Sequence, residues 1–234
     1  MKIELAGLLI EIENAGEYTK DLCKNYVYEG EKAPDIFIMY DKSAIDNERK
    51  LYPGASDDYL QSLCVYRDIC KKIIGFGAML IHSAAISVDG KGYLFSALSG
   101  TGKTTHINLW LKKFGDRARV INGDKPIIRE VSGEFRVYGT PWCGKEGINE
   151  NISVPIQGIC LLSRGEVNKI AKVKSDEAIA SLMEQTSRPN GAEAMIELLN
   201  IIDRLLKKVP VFRLFCNMDP EAADVSYNEM CKNK

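Results

Sequence analysis

The order of elements along the chain predicts an α+β fold built on a mixed sheet. β-rich segments surround one central helix, and further helices come only late in the 234 residues. This order differs from the regular βαβα alternation of a doubly wound sheet. We expect a core over residues 76–234 and a small N-terminal lobe over residues 1–75. No Pro-, Gly- or Ser-rich linker marks the boundary between them.

The first 75 residues are predicted to hold two strands and one long helix. Residues 3–12 are apolar with interspersed Glu and read as one strand, and residues 35–40 read as another. Pro53 and Gly54 mark a turn. Residues 58–74 repeat apolar side chains at helical spacing, which predicts a helix that buries one face.

The middle of the chain is predicted to form a hairpin that leads into the central helix. Residues 79–88 and 93–97 read as paired strands, joined by a Gly-containing turn at 89–92. Residues 105–113 are helix-like with a basic end, and Gly115 follows as a helix stop.

The remaining elements alternate between short strands and late helices. Ser175 reads as a helix cap followed by acidic residues, and residues 192–206 repeat apolar positions at helical spacing. Asp219 and Pro220 read as the cap and first residue of a terminal helix. Strands are predicted at 118–122, 127–131, 135–138, 158–163 and 211–216, the second and third joined by a tight turn at 132–134.

Composition narrows the class of protein. The chain is 45% hydrophobic and 27% charged with a net charge of −1, so no basic excess favours nucleic acid as a partner. No apolar run approaches the ~18 residues of a membrane span, and Glu4 interrupts the apolar start, so we expect neither a membrane segment nor an export signal. The seven cysteines form no C-x-x-C pair, which favours reduced core residues of a cytoplasmic protein over a structural zinc site. An oligomer is compatible with this composition.

Residues 97–105 carry a phosphate-binding motif. They read Ala-Leu-Ser-Gly-Thr-Gly-Lys-Thr-Thr and match the P-loop pattern G-x-x-x-x-G-K-[ST], with Ala97 in place of the first Gly. A strand precedes the motif and a helix follows it, which favours a P-loop over an ordinary Gly/Ser/Thr-rich turn. Such a loop wraps backbone N–H groups around phosphates at a helix N-terminus. We expect ATP or another nucleoside triphosphate to bind at Ser99, Gly100, Thr101, Gly102, Lys103, Thr104 and Thr105.

Asp124 is the predicted partner of this loop. It follows Thr104 by one helix and one strand, the position from which a P-loop protein's carboxylate holds Mg²⁺ opposite the loop. The hydroxyl of Thr104 is the second predicted metal ligand. The alternative is a turn residue within Asn-Gly-Asp, but the strand and the spacing favour the metal role. Asp124 and Lys103 are therefore predicted catalytic residues, with Mg²⁺ as cofactor.

His82 and the segment 139–147 are further candidates. His82 ends a short apolar run and is either a structural histidine or a proton-transfer group beside the phosphates. The segment 139–147 is rich in Gly and also holds Pro, Trp, Cys, Lys and Glu, a composition more typical of a ligand loop than of a connection. Within it, Lys145 and Cys143 are predicted to contact substrate. The alternative is a tight connection around a buried Trp.

Two arginines are candidates for reaching phosphates. Arg164 directly follows an apolar strand, and Arg188 precedes Pro-Asn-Gly. Arginine suits bidentate binding of phosphate, so both are predicted substrate contacts. The alternative for each is a surface cation.

At this point the residues resemble a known family. Residues 98–105 look like the P-loop of ATP-dependent phosphoenolpyruvate carboxykinases. The series of His82, a hairpin, the P-loop and a strand ending at Asp124 is similar to HPr serine kinase/phosphorylase. Residues 139–144 match the Gly-Thr-Pro-Trp-x-Gly loop of small, compact HPr-kinase-like proteins. The resemblance spans residues 79–217 and implies the P-loop fold that these two families share.

The resemblance also implies an activity. It points to an ATP- and Mg²⁺-dependent phosphotransferase that acts on a hydroxyl of a small molecule, peptide or small protein. HPr kinase carries two adjacent Asp residues after this strand, whereas Lys125 follows Asp124 here. With one carboxylate, the proton acceptor is either Asp124 or His82. The same departure motivates the alternative, a nucleotide-binding sensor without turnover.

Overall fold

The computed structural model describes residues 1–40, 42–98 and 100–232. Its N-terminal part is a small sheet in the order β1-β2-β3, against which a long helix packs. The strands are β1 (Lys2–Leu5), β2 (Leu8–Ile12) and β3 (Ile36–Ile38), and the helices are α1 (Glu17–Leu22), α2 (Lys42–Leu51) and α3 (Asp57–Lys72).

The predicted single strand over residues 3–12 is wrong. Ala6 and Gly7 adopt positive φ angles of 54° and 69°, and they reverse the chain into the β1–β2 hairpin. The predicted helix over 58–74 is confirmed as α3, which continues into a 3-10 turn at Ile73–Phe76. Sequence analysis missed α1 and α2, because α1 is only six residues long and α2 is mostly polar.

The larger part of the chain is a mixed sheet, which confirms the predicted α+β class. Its strands are β4 (Ala78–Leu80), β5 (Ser83–Val88), β6 (Lys91–Ser96), β7 (Ala118–Asn122), β8 (Ile127–Val131), β9 (Glu134–Tyr138), β10 (Ser153–Arg164), β11 (Lys169–Lys172) and β12 (Val211–Cys216). They follow the order β4-β8-β9-β10-β6-β5-β7, and β12 pairs with β10 and β11. β10 runs parallel to β6 and β12, whereas the other pairs are antiparallel. The helices are α4 (Lys103–Phe114), α5 (Ser175–Glu184), α6 (Ala192–Lys208) and α7 (Glu221–Cys231).

The predicted strand over residues 79–88 is divided in two. Its first part, β4, pairs with β8, and its second part, β5, pairs with β6 and β7. The break falls at Ile81 and His82. The predicted β5–β6 and β8–β9 hairpins are confirmed. Ser175 does not cap α5: the residue at the cap position is Lys174, and no side-chain hydrogen bond is made there in the described residues.

Strand register brings three segments to one edge of the sheet. Ser83 pairs with Ser96, and Ala85 pairs with Asn122, so the start of β5 lies beside the ends of β6 and β7. Because β5 is antiparallel to both neighbours, the residues that precede it meet the residues that follow them. His82, the P-loop and Asp124 therefore leave the sheet at the same edge.

The core of the first 75 residues extends into the rest of the chain. It includes Ile127 and Trp142 beside α3 residues such as Tyr66. The Trp142 ring stacks on Tyr66 with centroids 4.3 Å apart, and its Nε1 donates to the carbonyl of Ser62 at 3.2 Å. The N-terminal part is thus packed against segment 139–147. The division at residues 75 and 76 stays a prediction. Among the described residues, no helix combines the length and apolar character needed to cross a membrane.

His106 holds α4 against α7 as a neutral side chain. It is 2% exposed, and the Trp110 indole N–H donates to its Nε2 at 3.1 Å. Its Nδ1 has no hydrogen-bond partner in the described residues. Burial lowers the pKa of His106 to about 4. A second proton would place an N–H against the indole donor inside the core.

We expect this histidine to make stability depend on pH. Below its ordinary pKa of 6.5 the unfolded chain takes up a proton that folded His106 does not accept until about pH 4. Stability is therefore lost as pH falls between those values, by about 3 kcal/mol. Urea unfolding at a series of pH values measures it, and His106→Gln should flatten this part of the profile. If stability fell equally steeply with pH in the wild type and in His106→Gln, His106 would not be the group responsible.

Candidate functional site

The P-loop segment meets the N-terminus of α4 at two glycines. Gly100 and Gly102 adopt φ angles of 77° and 122°, which only glycine adopts readily. Gly102 precedes α4, and no side chain caps the helix in the described residues. The first amides of α4 thus remain available for an anion, where the helix dipole also favours negative charge. Ser99, a predicted phosphate-binding residue, lies outside the described residues.

Lys103, His82 and Asp124 form a compact cluster beside this helix end. His82 Nε2 lies 2.9 Å from Asp124 Oδ1 and 3.4 Å from Lys103 Nζ. Lys103 Nζ also donates to the carbonyl of Ala97 at 3.0 Å. A single ring nitrogen either donates to Asp124 or accepts from Lys103. The shorter distance favours the protonated Nε2 that donates to the carboxylate.

The cluster stabilises Asp124 as a carboxylate. Burial by itself would raise the pKa of this group, but the hydrogen bond from His82 opposes burial. The nearby Lys125 and Lys103 add to this opposition, and the net pKa lies below its ordinary value. For Lys103, burial lowers the ammonium pKa while the Asp124 charge acts against it. An incoming anion would compensate this half-buried cation.

Asp124 is fixed by its backbone as well. Asn122 Oδ1 accepts from the N–H groups of Asp124 (2.9 Å) and Lys125 (2.6 Å). Asn122 is fully buried, and its Nδ2 donates to the carbonyl of Thr140 at 3.0 Å. The carbonyl of Asp124 accepts from the N–H of Ser83 at 3.0 Å. The Asn-Gly-Asp sequence therefore forms a side-chain-stabilised turn that aims the carboxylate at the sheet edge.

Segment 139–147 packs directly on this turn. A Cβ at Gly139 would lie 1.9 Å from the carbonyl oxygen of Glu150, so only glycine fits there. A Cβ at Gly144 would lie 2.9 Å from Asp124 Cβ, and Gly144 has a φ of 84°. Trp142 anchors the segment to α3, as described above. The segment therefore supports Asp124 from outside the sheet.

Gly144→Ala and Gly147→Ala form a matched pair that tests this support. Both positions have positive φ, 84° and 66°, but no described atom lies within 4 Å of a Cβ at Gly147. We expect each substitution to cost about 1–2 kcal/mol for the backbone. Gly144→Ala should cost about 1 kcal/mol more, because its methyl group displaces Asp124. Chemical denaturation measures the free energy of unfolding of both variants. Equal losses of stability would show that the contact between Gly144 and Asp124 does not affect stability.

These elements enclose a cavity of about 1000 Å³. The P-loop, the Asp124 turn and segment 139–147 form one side, and the N-terminal part forms the other. The lining residues are Tyr18, Leu22, Tyr52, Tyr59, Ser62, Leu63, His82, Gly100, Gly102, Lys103, Thr104, Thr105, Gly123, Asp124, Lys125, Pro141, Trp142, Cys143, Gly144, Lys145, Glu146 and Gly147. The volume suits a ligand of nucleotide size, since small-molecule sites measure about 300–1000 Å³.

Most of the site residues predicted from the sequence line this cavity, but Thr101, Arg164 and Arg188 do not. Thr101 and Arg164 line a separate cavity behind the P-loop. Arg164 Nη2 donates to the carbonyl of Gly100 at 2.7 Å. Arg164 thus supports the loop from behind. Arg188 is exposed, and its Nε donates to the carbonyl of Met183 at 3.3 Å.

The two substrate candidates in segment 139–147 differ in accessibility. Lys145 is exposed on the cavity wall. Cys143 is buried, and its Sγ accepts from Asn149 Nδ2 at 3.0 Å. Cys143 therefore makes a structural hydrogen bond within the protein.

The cavity wall that faces the P-loop was not predicted from the sequence. Tyr18, Tyr52, Tyr59 and Leu63 come from α1, α3 and the turn after α2. Tyr18 and Tyr59 meet edge to face with centroids 5.6 Å apart. No motif connects these positions, because only the packing of α3 against Trp142 brings them opposite the P-loop.

Comparisons with known proteins identify a family and find similar solved structures. A family model described as "SynChlorMet cassette protein ScmC" matches residues 59–221. No curated protein matches the sequence. Among solved structures, the HPr(Ser) kinase/phosphatase from Coxiella burnetii is similar over 65% of this chain and 97% of that chain, with a TM-score of 0.40 and 8% identity. Neither value is high enough to indicate a shared activity.

Proposed function

The chain belongs to the SynChlorMet cassette protein ScmC family, and we propose that it is an ATP- and Mg²⁺-dependent phosphotransferase, similar to HPr serine kinase, that acts on a hydroxyl group. One observation carries the proposal: Lys103, His82 and Asp124 converge at the open N-terminus of α4. Phosphoryl transfer depends on charge neutralisation and on a group that positions or deprotonates the nucleophile, and a lysine and a carboxylate at one helix end can supply both.

The residues present fit a magnesium ion. Thr104 and Asp124 line the same cavity, and Mg²⁺ prefers one or two protein oxygens together with phosphate oxygens and water. The lowered pKa of Asp124 keeps the carboxylate charged for this task. Bound there, the ion would supply charge neutralisation on the phosphates.

Each protein group has a defined part in the transfer. The N–H groups of Gly100, Gly102, Lys103, Thr104 and Thr105 bind the β- and γ-phosphates, and the Lys103 side chain neutralises charge that develops on them. Asp124 orients the acceptor hydroxyl and takes its proton, while His82 holds the carboxylate in place. Such a weak base suffices because phosphoryl transfer depends mainly on alignment and charge stabilisation.

A second function has an observation in its favour. Asp124 is followed by Lys125, whose Nζ lies 3.9 Å from Asp124 Oδ2, where a kinase of the resembled family has another carboxylate. A protein with this site could bind a nucleotide and report its presence without turnover.

The experiment that separates the two functions follows ADP. The protein is mixed with ATP, Mg²⁺ and a panel of hydroxyl-bearing small molecules and peptides, and ADP is quantified by chromatography. Acceptor-dependent ADP formation supports the phosphotransferase. Tight ATP binding without ADP above background favours the sensor, and no ATP binding contradicts both.

A further inference from the structure

A second, smaller cavity of about 270 Å³ adjoins the P-loop cavity. Four residues line both cavities: Tyr52, Leu63, His82 and Lys125. His82 therefore stands at the junction, with Asp124 and Lys103 on one side and the small cavity on the other. A molecule in the small cavity can present an atom to the catalytic cluster.

The walls of the small cavity are fixed by the fold. One wall is a single face of α3, formed by Leu63, Tyr66, Arg67 and Cys70 at helical spacing. The opposite wall is formed by the last residue of α5, Glu184, and the three residues that follow it, 185–187. In that wall, Thr186 Oγ1 donates to the carbonyl of Leu80 at 2.6 Å, and the carbonyl of Gln185 accepts from the N–H of His82 at 2.7 Å.

This cavity is lined by charged side chains and by one side-chain amide. Lys125 and Arg67 are its cations, and Glu184 is its carboxylate. Arg67 forms an ion pair with the buried Glu48, and Lys125 Nζ lies 3.9 Å from Asp124 Oδ2. Gln185 lines both this cavity and the cavity behind the P-loop, and its Oε1 is a buried acceptor with no hydrogen-bond partner in the described residues. A buried acceptor without a donor is costly, and such groups are rare unless a ligand or water completes them.

We propose that the small cavity binds the phosphoryl acceptor, and that the acceptor is a small hydroxy acid with an additional N–H or O–H donor. Its carboxylate faces Lys125 and Arg67, its donor faces Gln185 Oε1, and its hydroxyl reaches the His82–Asp124 junction. The cavity is smaller than the about 300–1000 Å³ of drug-sized sites, a size that fits a compact metabolite.

This inference rests on the proposed phosphotransferase activity. In the step, the acceptor oxygen forms a bond to the γ-phosphorus, and the bond to the β,γ-bridging oxygen breaks with its electron pair leaving on ADP. The hydroxyl proton passes to Asp124. The products are a phosphorylated hydroxy acid and ADP.

The test measures acceptor binding separately from turnover. Ligand-observed NMR follows the binding of L-serine and D-glycerate, with L-serinamide and glycerol as matched probes that lack the carboxylate, and a serine-containing peptide as the larger alternative. We expect at least one of the two acids to bind, and its matched neutral probe to bind at least tenfold more weakly. Equal binding of acid and neutral probe, binding of the peptide alone, or no binding of either acid would overturn the inference. Because ADP formation is measured independently, a failure here is distinguishable from a failure of the phosphotransferase.

Variants at Gln185 and Arg67, with a control at Arg117, test the inference at the level of single residues. Gln185→Leu should weaken binding of the acid about tenfold by removing a hydrogen bond to a charged or polar donor, while its thermal midpoint stays unchanged or rises. Arg67→Gln should weaken binding similarly and Arg67→Lys less, whereas Arg117→Gln, in the exposed 3-10 turn after α4, should have no effect. Arg67→Gln leaves Glu48 unpaired and can lose stability, so Gln185→Leu decides the matter. Unchanged binding in Gln185→Leu, or a lowered midpoint that indicates a structural role, would overturn the inference.

Discussion

Replacement of Lys103 by Met is expected to lower the rate of phosphoryl transfer about 10³-fold, the loss typical of removing one charge-stabilising group from an active site. The side chain is half-buried with its Nζ between the carbonyl of Ala97 and His82, and burial already lowers the ammonium pKa. Such a cation gains strongly from an incoming phosphate, so affinity for ATP should fall as well. ADP release and a calorimetric titration with ATP measure the two effects.

Lys112→Met is the matched control for this substitution. Lys112 is exposed on the same helix, and its loss should leave both rate and affinity unchanged. Retention of the wild-type transfer rate in Lys103→Met would remove Lys103 from the site. Loss of activity in both variants would instead indicate damage to α4.

Asp124→Asn is expected to cause a loss of similar size, about 10³-fold in kcat. The amide keeps the shape of the side chain and leaves the backbone bonds to Asn122 and Ser83 intact, so the fold should persist. It removes the negative charge that, in the proposed mechanism, holds the metal ion and accepts the proton. The Mg²⁺ concentration needed for half-maximal activity should therefore rise.

Asp116→Asn, in the exposed turn after α4, is the control for Asp124→Asn. Its activity and its Mg²⁺ dependence should match those of the wild type. If Asp124→Asn retained wild-type kcat with an unchanged Mg²⁺ requirement, His82 or another group would have to perform both tasks.

The sequence predicts the structure well where the structure is local. Residues 97–105 carry their own signal, because glycines, a lysine and a helix start fall within one short stretch. The turn at Asp124 is equally local, since Asn122, Gly123 and Asp124 build it from adjacent positions, although the sequence offered it only as the alternative to a metal role. The hairpin turns and the amphipathic α3 followed from the same kind of short-range pattern.

Contacts between residues that are far apart in the sequence could not be predicted from local sequence patterns. His82 looked like the continuation of a strand, and only the pairing of β4 with β8 and of β5 with β6 exposes the break that it occupies. The tyrosines of the cavity wall depend on the stacking of Trp142 against Tyr66, a pair far apart in sequence. No periodicity reports that kind of packing.

A crystal structure of the protein with a non-hydrolysable ATP analogue and Mg²⁺ would show where the nucleotide binds. We expect the triphosphate along residues 100–105, with Lys103 on the β- and γ-phosphates and the metal ion between Thr104 and Asp124. A triphosphate bound elsewhere, or bound at α4 with Asp124 turned away from metal and γ-phosphate, would contradict this expectation.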